Sequence, residues 1–325
     1  MALEKKEPLL KVEGLCKYFK ISSKETLKAV DNVSFELYKQ EVVGVVGESG
    51  CGKSTLGRCL LRLYEPTQGS IYYENQNLAD IKTKTQKREF CKNVQMIFQN
   101  PYASLNPRMT VKEIVGEGIM LHHRYPSKER DEKVIELLKK VGMNKDHMSR
   151  FSHEFSGGQK QRIGIARALS VGPKLIVCDE PISALDVSIQ AQVITMLKKL
   201  REEMGLTYLF IAHDLSVVKY ISDRVIVMYL GMIVEMGETE DLYEHPYHPY
   251  TQAMLSAIPV ADPEKSRKQK SISIKGEVPS PINPPACCRF VERCPKAQDI
   301  CRKKIPDLKE ITNGHKVACH FPILQ

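Results

Sequence analysis

Apolar positions along the chain predict strands that alternate with amphipathic helices. Residues 33–47 change from an alternating to a continuous apolar pattern, which is typical of a strand that becomes buried on both faces. Helical spacing follows in residues 54–65. Two more apolar strands, at 173–180 and 206–213, flank a predicted helix at 187–205. Because strand–helix–strand order favours parallel pairing with a right-handed crossover, the pattern predicts an α/β fold.

The middle of the chain, from about residue 100 to residue 170, is mostly helical in pattern. Its clearest element is an amphipathic helix with Pro126 and Ser127 as the start signal. Residues 224–237 predict a hairpin that turns at Gly231. The sequence contains no internal repeat, so we expect a single copy of this fold.

The composition of the chain changes after residue 258. The stretch 259–286 is rich in Lys, Ser and Pro, which predicts an irregular linker. The basic run at 265–275 is interpreted as part of this solvated linker, with a patch facing lipid or nucleic acid as the alternative. We therefore expect a domain at 1–258, the linker, and a small Cys-rich extension at 287–325.

Composition and charge limit the classes of protein. The chain has 325 residues, of which 42% are hydrophobic and 27% charged, so a disordered tail, a collagen and a coiled-coil rod are excluded. The net charge of +9 suits an acidic partner, namely a nucleotide, a nucleic acid or an anionic membrane face. The longest uncharged apolar stretch, Val225 to Val234, is far shorter than the roughly 20 residues of a spanning helix. The first ten residues lack a signal-peptide core. We expect a cytosolic protein docked on a membrane.

A phosphate-binding loop is predicted where the first buried strand ends. Residues 47–55, GESGCGKST, match the pattern G-x-x-x-x-G-K-[ST] between a predicted strand and a predicted helix. The glycines let backbone N–H groups converge on phosphates, and the positive helix N-terminus faces the same anion. Lys53 supplies a positive charge to the β/γ oxygens, and the Ser54 hydroxyl can bind Mg²⁺. The predicted nucleotide contacts are Gly47, Ser49, Gly50, Cys51, Gly52, Lys53, Ser54 and Thr55.

Two adjacent carboxylates end the apolar strand at 175–180. This is the edge where α/β sheets bind ligands. Asp179 is expected to hold the hydration shell of Mg²⁺, and Glu180 to orient or deprotonate the attacking water. Such a pair is by itself equally compatible with helix capping, but together with the loop it indicates phosphoryl transfer.

A second anion-binding nest is predicted in residues 155–159, FSGGQ, where a helix begins. One nucleotide needs one such nest, so the second indicates a nucleotide bound to another subunit. The predicted contacts there are Ser156, Gly157, Gly158 and Gln159.

Together these motifs resemble those of the ABC transporter ATPase family, whose signature is L-S-G-G-Q; this chain has Phe155 in the first place. The resemblance implies a P-loop NTPase ABC cassette with a RecA-like core, an antiparallel β subdomain and an α-helical signature subdomain at about 100–170. In that family two cassettes pair head to tail, and each signature closes on the γ-phosphate held by its partner.

Further residues match family positions, and their roles are those that the resemblance implies. Gln99 matches the glutamine that touches Mg²⁺ and senses the membrane subunit, and the segment 183–186, ending at Asp186, matches the one that aligns the two cassettes. His213 matches the histidine that contacts the γ-phosphate. Phe19 is expected to stack on adenine, with Tyr18 as the alternative. The expected catalytic residues are Glu180, His213, Lys53 and Gln99, and the expected Mg²⁺ ligands are Ser54, Gln99 and Asp179.

Five of the ten cysteines lie between residues 287 and 325. The spacing of Cys288, Cys294, Cys301 and Cys319 fits neither zinc ribbons nor ferredoxins, so it indicates only four soft ligands for Zn²⁺ or an Fe–S cluster. The segments HPYHPYTQAMLSAIP and PPACCRFVERCPKAQDIC are similar to the C-terminal extension of oligopeptide and dipeptide importer ATPases. In that subfamily four such cysteines can hold a 4Fe–4S cluster. Cys287 is an alternative ligand to Cys288.

The resemblance implies an ATP-hydrolysing motor subunit of a di- and oligopeptide importer at the cytoplasmic face of the membrane. The implied cofactors are ATP, Mg²⁺ and a 4Fe–4S cluster. The implied partners are a second, related ATPase subunit, two transmembrane permease subunits and, indirectly, an external peptide-binding protein; no nucleic acid is expected. The alternatives are an importer of nickel or oligosaccharides, and a soluble ABC ATPase acting on nucleic acid or ribosomes. Proteins of the latter kind usually have two fused cassettes or a long coiled-coil insertion, and neither occurs in this sequence.

Overall fold

The computed structural model describes residues 7–123, 125–258, 272, 274, 276–312 and 314–323. The predicted basic run at 265–275 lies outside the described residues, except for Ile272 and Ile274, as does the first half of the predicted linker.

The described residues form strands and helices, but the continuous strand predicted over 33–47 is wrong: a turn at residues 39–40 separates the end of one strand from the start of the next, and the two belong to different sheets. The strands are β1 (Leu10–Lys20), β2 (Thr26–Leu37), β3 (Val42–Val46), β4 (Gln68–Tyr73), β5 (Gln76–Asn77), β6 (Val94–Ile97), β7 (Leu175–Asp179), β8 (Thr207–Ile211), β9 (Arg224–Tyr229), β10 (Met232–Glu238), β11 (Lys309–Thr312) and β12 (His315–Val317). The α-helices are α1 (Lys53–Leu60), α2 (Lys84–Asn93), α3 (Pro101–Ser104), α4 (Val111–His122), α5 (Ser127–Lys140), α6 (Gly157–Leu169), α7 (Val187–Met204), α8 (Leu215–Ile221), α9 (Thr239–Glu244) and α10 (Pro249–Ser256).

Short 3₁₀ turns occur among these elements. They are Leu78–Asp80, Lys145–Ser149, Ser152–Glu154 and Asp299–Arg302.

The chain divides into two compact units, each formed by several segments. The first unit consists of Met1–Leu10, Leu37–Val42 and Tyr73–Ile211. It contains the parallel strands β6, β7 and β8, in that order, and every residue of β7 and β8 is buried, as their continuous apolar runs predict. Helices join these strands, since parallel neighbours require crossovers. Helices α4, α5 and α6 pack on one another, which gives this unit the helical region predicted near 100–170.

The second unit consists of Lys11–Glu36, Val43–Tyr72 and Ala212–Gln325. Strand β3 pairs in parallel with β9, and β9 and β10 form the predicted antiparallel hairpin. Strand β12 pairs with β10 and β11 pairs with β12, both antiparallel, so the Cys-rich region extends the sheet that contains the hairpin. In a separate sheet β1 lies between β2 and β4.

A buried ion network holds the end of the chain within the second unit. The His315 imidazole lies 2.9 Å from Glu235 Oε1 through Nε2 and 2.6 Å from Asp241 Oδ2 through Nδ1. Glu235 also accepts backbone N–H bonds from Tyr247 and His248. Burial opposes a charge on His315, but the hydrogen bonds to the two carboxylates outweigh burial and raise its pKa above the ordinary histidine value.

Replacing His315 by Gln removes the positive partner of two carboxylates. Because the folded-state pKa is raised, the stabilisation is fully present below the ordinary histidine pKa of about 6.5 and is lost as the pH rises through the raised value. We expect a loss of about 3 kcal/mol in the free energy of unfolding at slightly acidic pH, and a smaller loss at alkaline pH. Urea unfolding at a series of pH values measures the difference. A loss that grows with pH would contradict the assignment, and His320→Gln, which loses one bond to the Lys304 carbonyl, should cost less than about 1 kcal/mol.

Candidate nucleotide-binding and hydrolysis residues

The phosphate loop lies in the second unit, directly after β3. Gly47, Gly50 and Gly52 have positive φ angles of 151°, 77° and 104°. A Cβ atom at Gly52 would lie 1.9 Å from the Ala29 carbonyl oxygen, and one at Gly47 would lie 2.2 Å from the Met228 carbonyl oxygen. Any other residue would collide with main-chain atoms, so the loop conformation requires glycine at both positions.

Lys53 is the first residue of α1 and is buried. Its Nζ donates hydrogen bonds to the carbonyl oxygens of Gly47 at 2.7 Å and Glu48 at 3.0 Å. Ser54 and Thr55 follow in the first turn of the helix and are partly buried, while Ser49 and Gly50 are exposed at the tip of the loop. Burial raises the pKa of the Cys51 thiol, which keeps it neutral inside the loop.

The two aromatic candidates on β1 differ in their contacts. The Tyr18 hydroxyl donates a hydrogen bond of 2.5 Å to Asp31 Oδ1. The Phe19 ring makes an edge-on contact with Tyr64 at 5.4 Å and has the Lys17 ammonium 5.0 Å from its centre. The Lys28 ammonium lies 5.1 Å from the Tyr18 ring, so each of the two rings has a cation beside it, and the difference between them is the bond of the Tyr18 hydroxyl to Asp31.

The first unit brings Gln99 and Glu180 together. Gln99 Nε2 donates a hydrogen bond to Glu180 Oε2 at 2.6 Å. Glu180 follows β7 with φ at 45°, and its N–H donates to the Ile211 carbonyl at 3.0 Å. Ser183 donates to the Glu180 carbonyl through both its N–H and its hydroxyl. A non-glycine residue in this left-handed region is a strained position held by its neighbours, which is frequent at functional sites. Asp179, one residue earlier, is buried at the strand end.

Ser156 caps α6 and is exposed, as the predicted nest requires. Its hydroxyl accepts the Gln159 N–H at 3.4 Å, and its own N–H donates to Gln159 Oε1 at 3.1 Å. Phe155, which stands where the family signature has leucine, is buried, and the Arg150 guanidinium lies 4.7 Å from its ring. Phe155 is therefore a packing residue. A Cβ atom at Gly158 would lie 2.6 Å from Ile189 Cγ2, which leaves little room for a side chain.

Asp186 and His213 are exposed. Asp186 precedes α7 without capping it through its side chain, and the neighbouring Val187 is 82% exposed. His213 follows β8 in sequence, and Asp214 beside it caps α8 by accepting N–H bonds from the next turn.

Two contacts to the phosphate loop come from residues that the sequence analysis did not single out. The Tyr250 hydroxyl accepts the Glu48 N–H at 2.9 Å, and the Arg293 guanidinium binds the Glu48 carboxylate at 2.8 and 3.1 Å. Arg293 lies 245 positions from Glu48, and nothing in the local pattern links the two.

Cys288, Cys294, Cys301 and Cys319 line one small cavity, together with His248 and His320. Within the ranges that the structure describes, no three His, Cys, Asp or Glu side chains form a group that could hold a metal ion. The expected 4Fe–4S cluster is therefore not supported by ligand geometry. Burial raises the pKa of Cys288 to about 12 and that of Cys319 to about 11, so both thiols are neutral in this arrangement.

No helix in the described part of the chain has the length and the apolar composition to span a membrane.

The glycine at position 52 provides a direct test of the loop geometry. Gly52→Ala forces main-chain atoms apart, because the new Cβ would lie 1.9 Å from the Ala29 oxygen. Gly50→Ala is the matched control: it also has positive φ, but apart from its sequence neighbours no heavy atom of the described chain lies within 4 Å. We expect losses in the free energy of unfolding of about 1–2 kcal/mol for Gly50→Ala and above about 3 kcal/mol for Gly52→Ala. Equal losses in urea unfolding would contradict this account.

Comparisons with known proteins agree with these motifs. Residues 30–183 match the family model described as ABC transporter, and residues 234–301 match the model described as oligopeptide/dipeptide transporter, C-terminal region. The oligopeptide transport ATP-binding protein AppF of Bacillus subtilis (strain 168) is 52% identical over 327 residues, which cover 99% of this chain and 99% of AppF. The oligopeptide transport ATP-binding protein OppF of the same organism is 56% identical over 264 residues, which cover 81% of this chain and 86% of OppF.

Solved structures of cassettes have the same fold. One is the dimeric post-hydrolysis state of the ATP-binding cassette MJ0796 bound to ADP and Pi, with a TM-score of 0.65 and 29% identity over 71% of this chain and 98% of that chain. Another is cbiO1 from Clostridium perfringens, part of the ABC transporter complex cbiONQ, with a TM-score of 0.65 and 26% identity over 73% of this chain and 91% of that chain. The chain belongs to the ABC transporter family, as an ATP-binding subunit of the oligopeptide and dipeptide transporter subfamily.

Proposed function

We propose that this chain is the ATP-hydrolysing motor subunit of a membrane importer of di- and oligopeptides. The observation that carries the proposal is the match of residues 234–301 to the C-terminal region of oligopeptide and dipeptide transporters, beside a complete set of ABC motifs. The two relatives described above are named as oligopeptide transport ATP-binding proteins, which supports peptides as the cargo.

In this proposal each of the candidate residues has a distinct part in the chemistry. The loop of the second unit would bind the nucleotide phosphates with its backbone N–H groups, and Lys53, whose Nζ donates to two loop carbonyls, would bind the β/γ oxygens. Phe19 stacks on adenine, and His213 contacts the γ-phosphate. Asp179, Ser54 and Gln99 are the proposed ligands of Mg²⁺. Glu180 is the base that orients and deprotonates the attacking water.

Gln99 is proposed to transmit the movement of a membrane partner to Glu180. The two side chains are joined by a hydrogen bond of 2.6 Å. Phe98, beside Gln99, and Tyr102, in the helix α3 that follows, are exposed aromatic residues. A partner that binds this segment would change the position of Gln99 and, through the hydrogen bond, the orientation of the Glu180 carboxylate.

The proposed assembly has a second, related ATPase subunit, two transmembrane permease subunits and, indirectly, an external peptide-binding protein, at the cytoplasmic face of the membrane. The exposed Ser156, with Gly157, Gly158 and Gln159, would bind the γ-phosphate of the partner's nucleotide. Asp186 would align the two cassettes; the neighbouring Val187, an apolar side chain that is 82% exposed, supports a protein contact there.

The proposed domain boundaries are 1–258 for the nucleotide-binding domain, 259–286 for the linker and 287–325 for the Cys-rich extension, with a helical subdomain at about 100–170.

Glu180→Gln tests this function. The variant keeps the size and the hydrogen bond to Gln99 but loses the basic oxygen, so we expect unchanged ATP binding and a fall in ATP hydrolysis of at least about 100-fold. ATP should then trap a closed pair of cassettes, and cells that depend on the variant should lose uptake of a labelled peptide. Lys53→Ala is the contrasting variant, because it should weaken ATP binding itself. Normal turnover by the Glu180 variant would refute its role as the base.

We further propose that Cys288, Cys294, Cys301 and Cys319 hold a soft metal group, a 4Fe–4S cluster in preference to Zn²⁺. The supporting observation is that all four side chains line the same cavity. Cys288 is favoured over Cys287, because Cys288 lines this cavity with the other three cysteines and Cys287 is not among its lining residues. Bound metal would displace the thiol protons and draw the four sulfurs together.

Anaerobic purification tests the cysteine proposal. We expect brown protein that contains iron and acid-labile sulfide, and loss of both in Cys288→Ser. Cys287→Ser is the matched control, one residue away, and should retain them. Colourless protein with stoichiometric zinc would rule out the cluster.

A further inference from the structure

Every polar group of Glu48 in the phosphate loop has a partner in the second unit. Its carboxylate accepts two hydrogen bonds from Arg293, at 2.8 and 3.1 Å. Its N–H donates to the Tyr250 hydroxyl at 2.9 Å, and its carbonyl accepts from Lys53 Nζ at 3.0 Å. Glu48 is thus held by hydrogen bonds of both its side chain and its backbone.

The partner arginine is itself held firmly. Its side chain is 8% exposed, against 27% for the side chain of Glu48. Arg293 also donates to the Tyr229 hydroxyl at 3.3 Å. The Tyr229 ring lies 4.8 Å from that of Tyr250, and Phe290 packs against both rings. A bidentate pair in such partly dry surroundings has a defined geometry, unlike an exposed ion pair.

The cysteine-bearing segment has a second ion pair of the same kind. Arg289, which directly follows Cys288, binds Asp31 on β2, and Arg293 directly precedes Cys294. Asp31 also accepts the Tyr18 hydroxyl, on the strand that contains Phe19. The segment between these two cysteines is therefore attached by one arginine to the phosphate loop and by the other to the β1–β2 sheet.

The position of Glu48 creates an electrostatic problem for the loop. The loop proposed to bind a polyphosphate carries a carboxylate of its own, and an unpaired carboxylate in the loop would repel the phosphates. The Arg293 guanidinium neutralises that carboxylate and holds it on the side of Tyr229. The hydrogen bond from the Glu48 N–H to Tyr250 fixes the orientation of the same peptide group.

We propose that Arg293 is a positioning residue of the nucleotide site, which neutralises and orients Glu48 so that the C-terminal region sets the affinity of the loop for ATP. The inference rests on the proposed ATPase function and deepens it. It assigns to the C-terminal region a part in nucleotide binding that is separate from any metal held by the cysteines.

Binding of MgATP to the purified full-length chain tests the proposal. Arg293→Gln should raise the Kd about tenfold, because the unpaired Glu48 carboxylate then faces the phosphates. The double variant Arg293→Gln/Glu48→Gln should recover most of the affinity, because the repelling charge is gone. Arg302→Gln is the matched control: it lies in the same region and loses only an exposed pair with Glu292, so its Kd should stay within about twofold of the wild-type value.

The outcomes separate positioning from simple attachment. If Arg293 only tethers the C-terminal region, the double variant will bind ATP as poorly as the single variant, and the proposal is overturned. A wild-type Kd in folded Arg293→Gln overturns it as well. Should that variant not fold, Arg293→Lys keeps the charge and should raise the Kd about threefold, and a wild-type Kd there would also overturn the proposal. Failure of the wild-type chain to bind ATP would instead refute the proposed function itself.

Discussion

The conformation of the phosphate loop depends on a close approach of main-chain atoms that only glycine permits. At Gly52 and Gly47, carbonyl oxygens from β2 and β9 occupy the space that a Cβ atom would need. Because those oxygens belong to strands of the second unit, they cannot move aside without loss of sheet pairing. The conformation of the loop therefore depends on the surrounding strands as much as on its own residues. Within the loop, the buried Lys53 ammonium donates a hydrogen bond to the Gly47 carbonyl.

Buried charges in the second unit connect segments that are distant in sequence. His315 lies between Glu235 and Asp241, Arg289 binds Asp31, and Arg293 binds Glu48. A buried charge is costly without an opposite charge, so each pair permits essentially one arrangement of its two segments. These pairs attach the end of the chain to the parts of the unit that contain the phosphate loop and β1. The C-terminal region is thereby an integral part of the packing of this unit.

The first unit presents the Glu180 carboxylate directly after the end of a buried strand. Strand β7 is apolar and fully buried up to Asp179, and the chain then turns sharply at Glu180 with a positive φ. Two hydrogen bonds stabilise this strained turn: the Glu180 N–H donates to the Ile211 carbonyl, and the Ser183 N–H donates to the Glu180 carbonyl. As a result the Glu180 side chain lies within hydrogen-bond distance of Gln99.

The sequence by itself determined the elements and the motifs, because both depend on residues close together in the chain. Continuous apolar runs predicted β3, β7 and β8, and the spacing of Gly47, Lys53 and Ser156 predicted two helix starts suited to phosphate. Only the tertiary structure decided which distant residues meet. The contact of Arg293 with Glu48, the pairing of β12 with β10 and the charges around His315 have no local pattern. These contacts form because a buried charged group needs an oppositely charged partner. The folded chain, and not the spacing of residues in the sequence, decides which partner lies within reach.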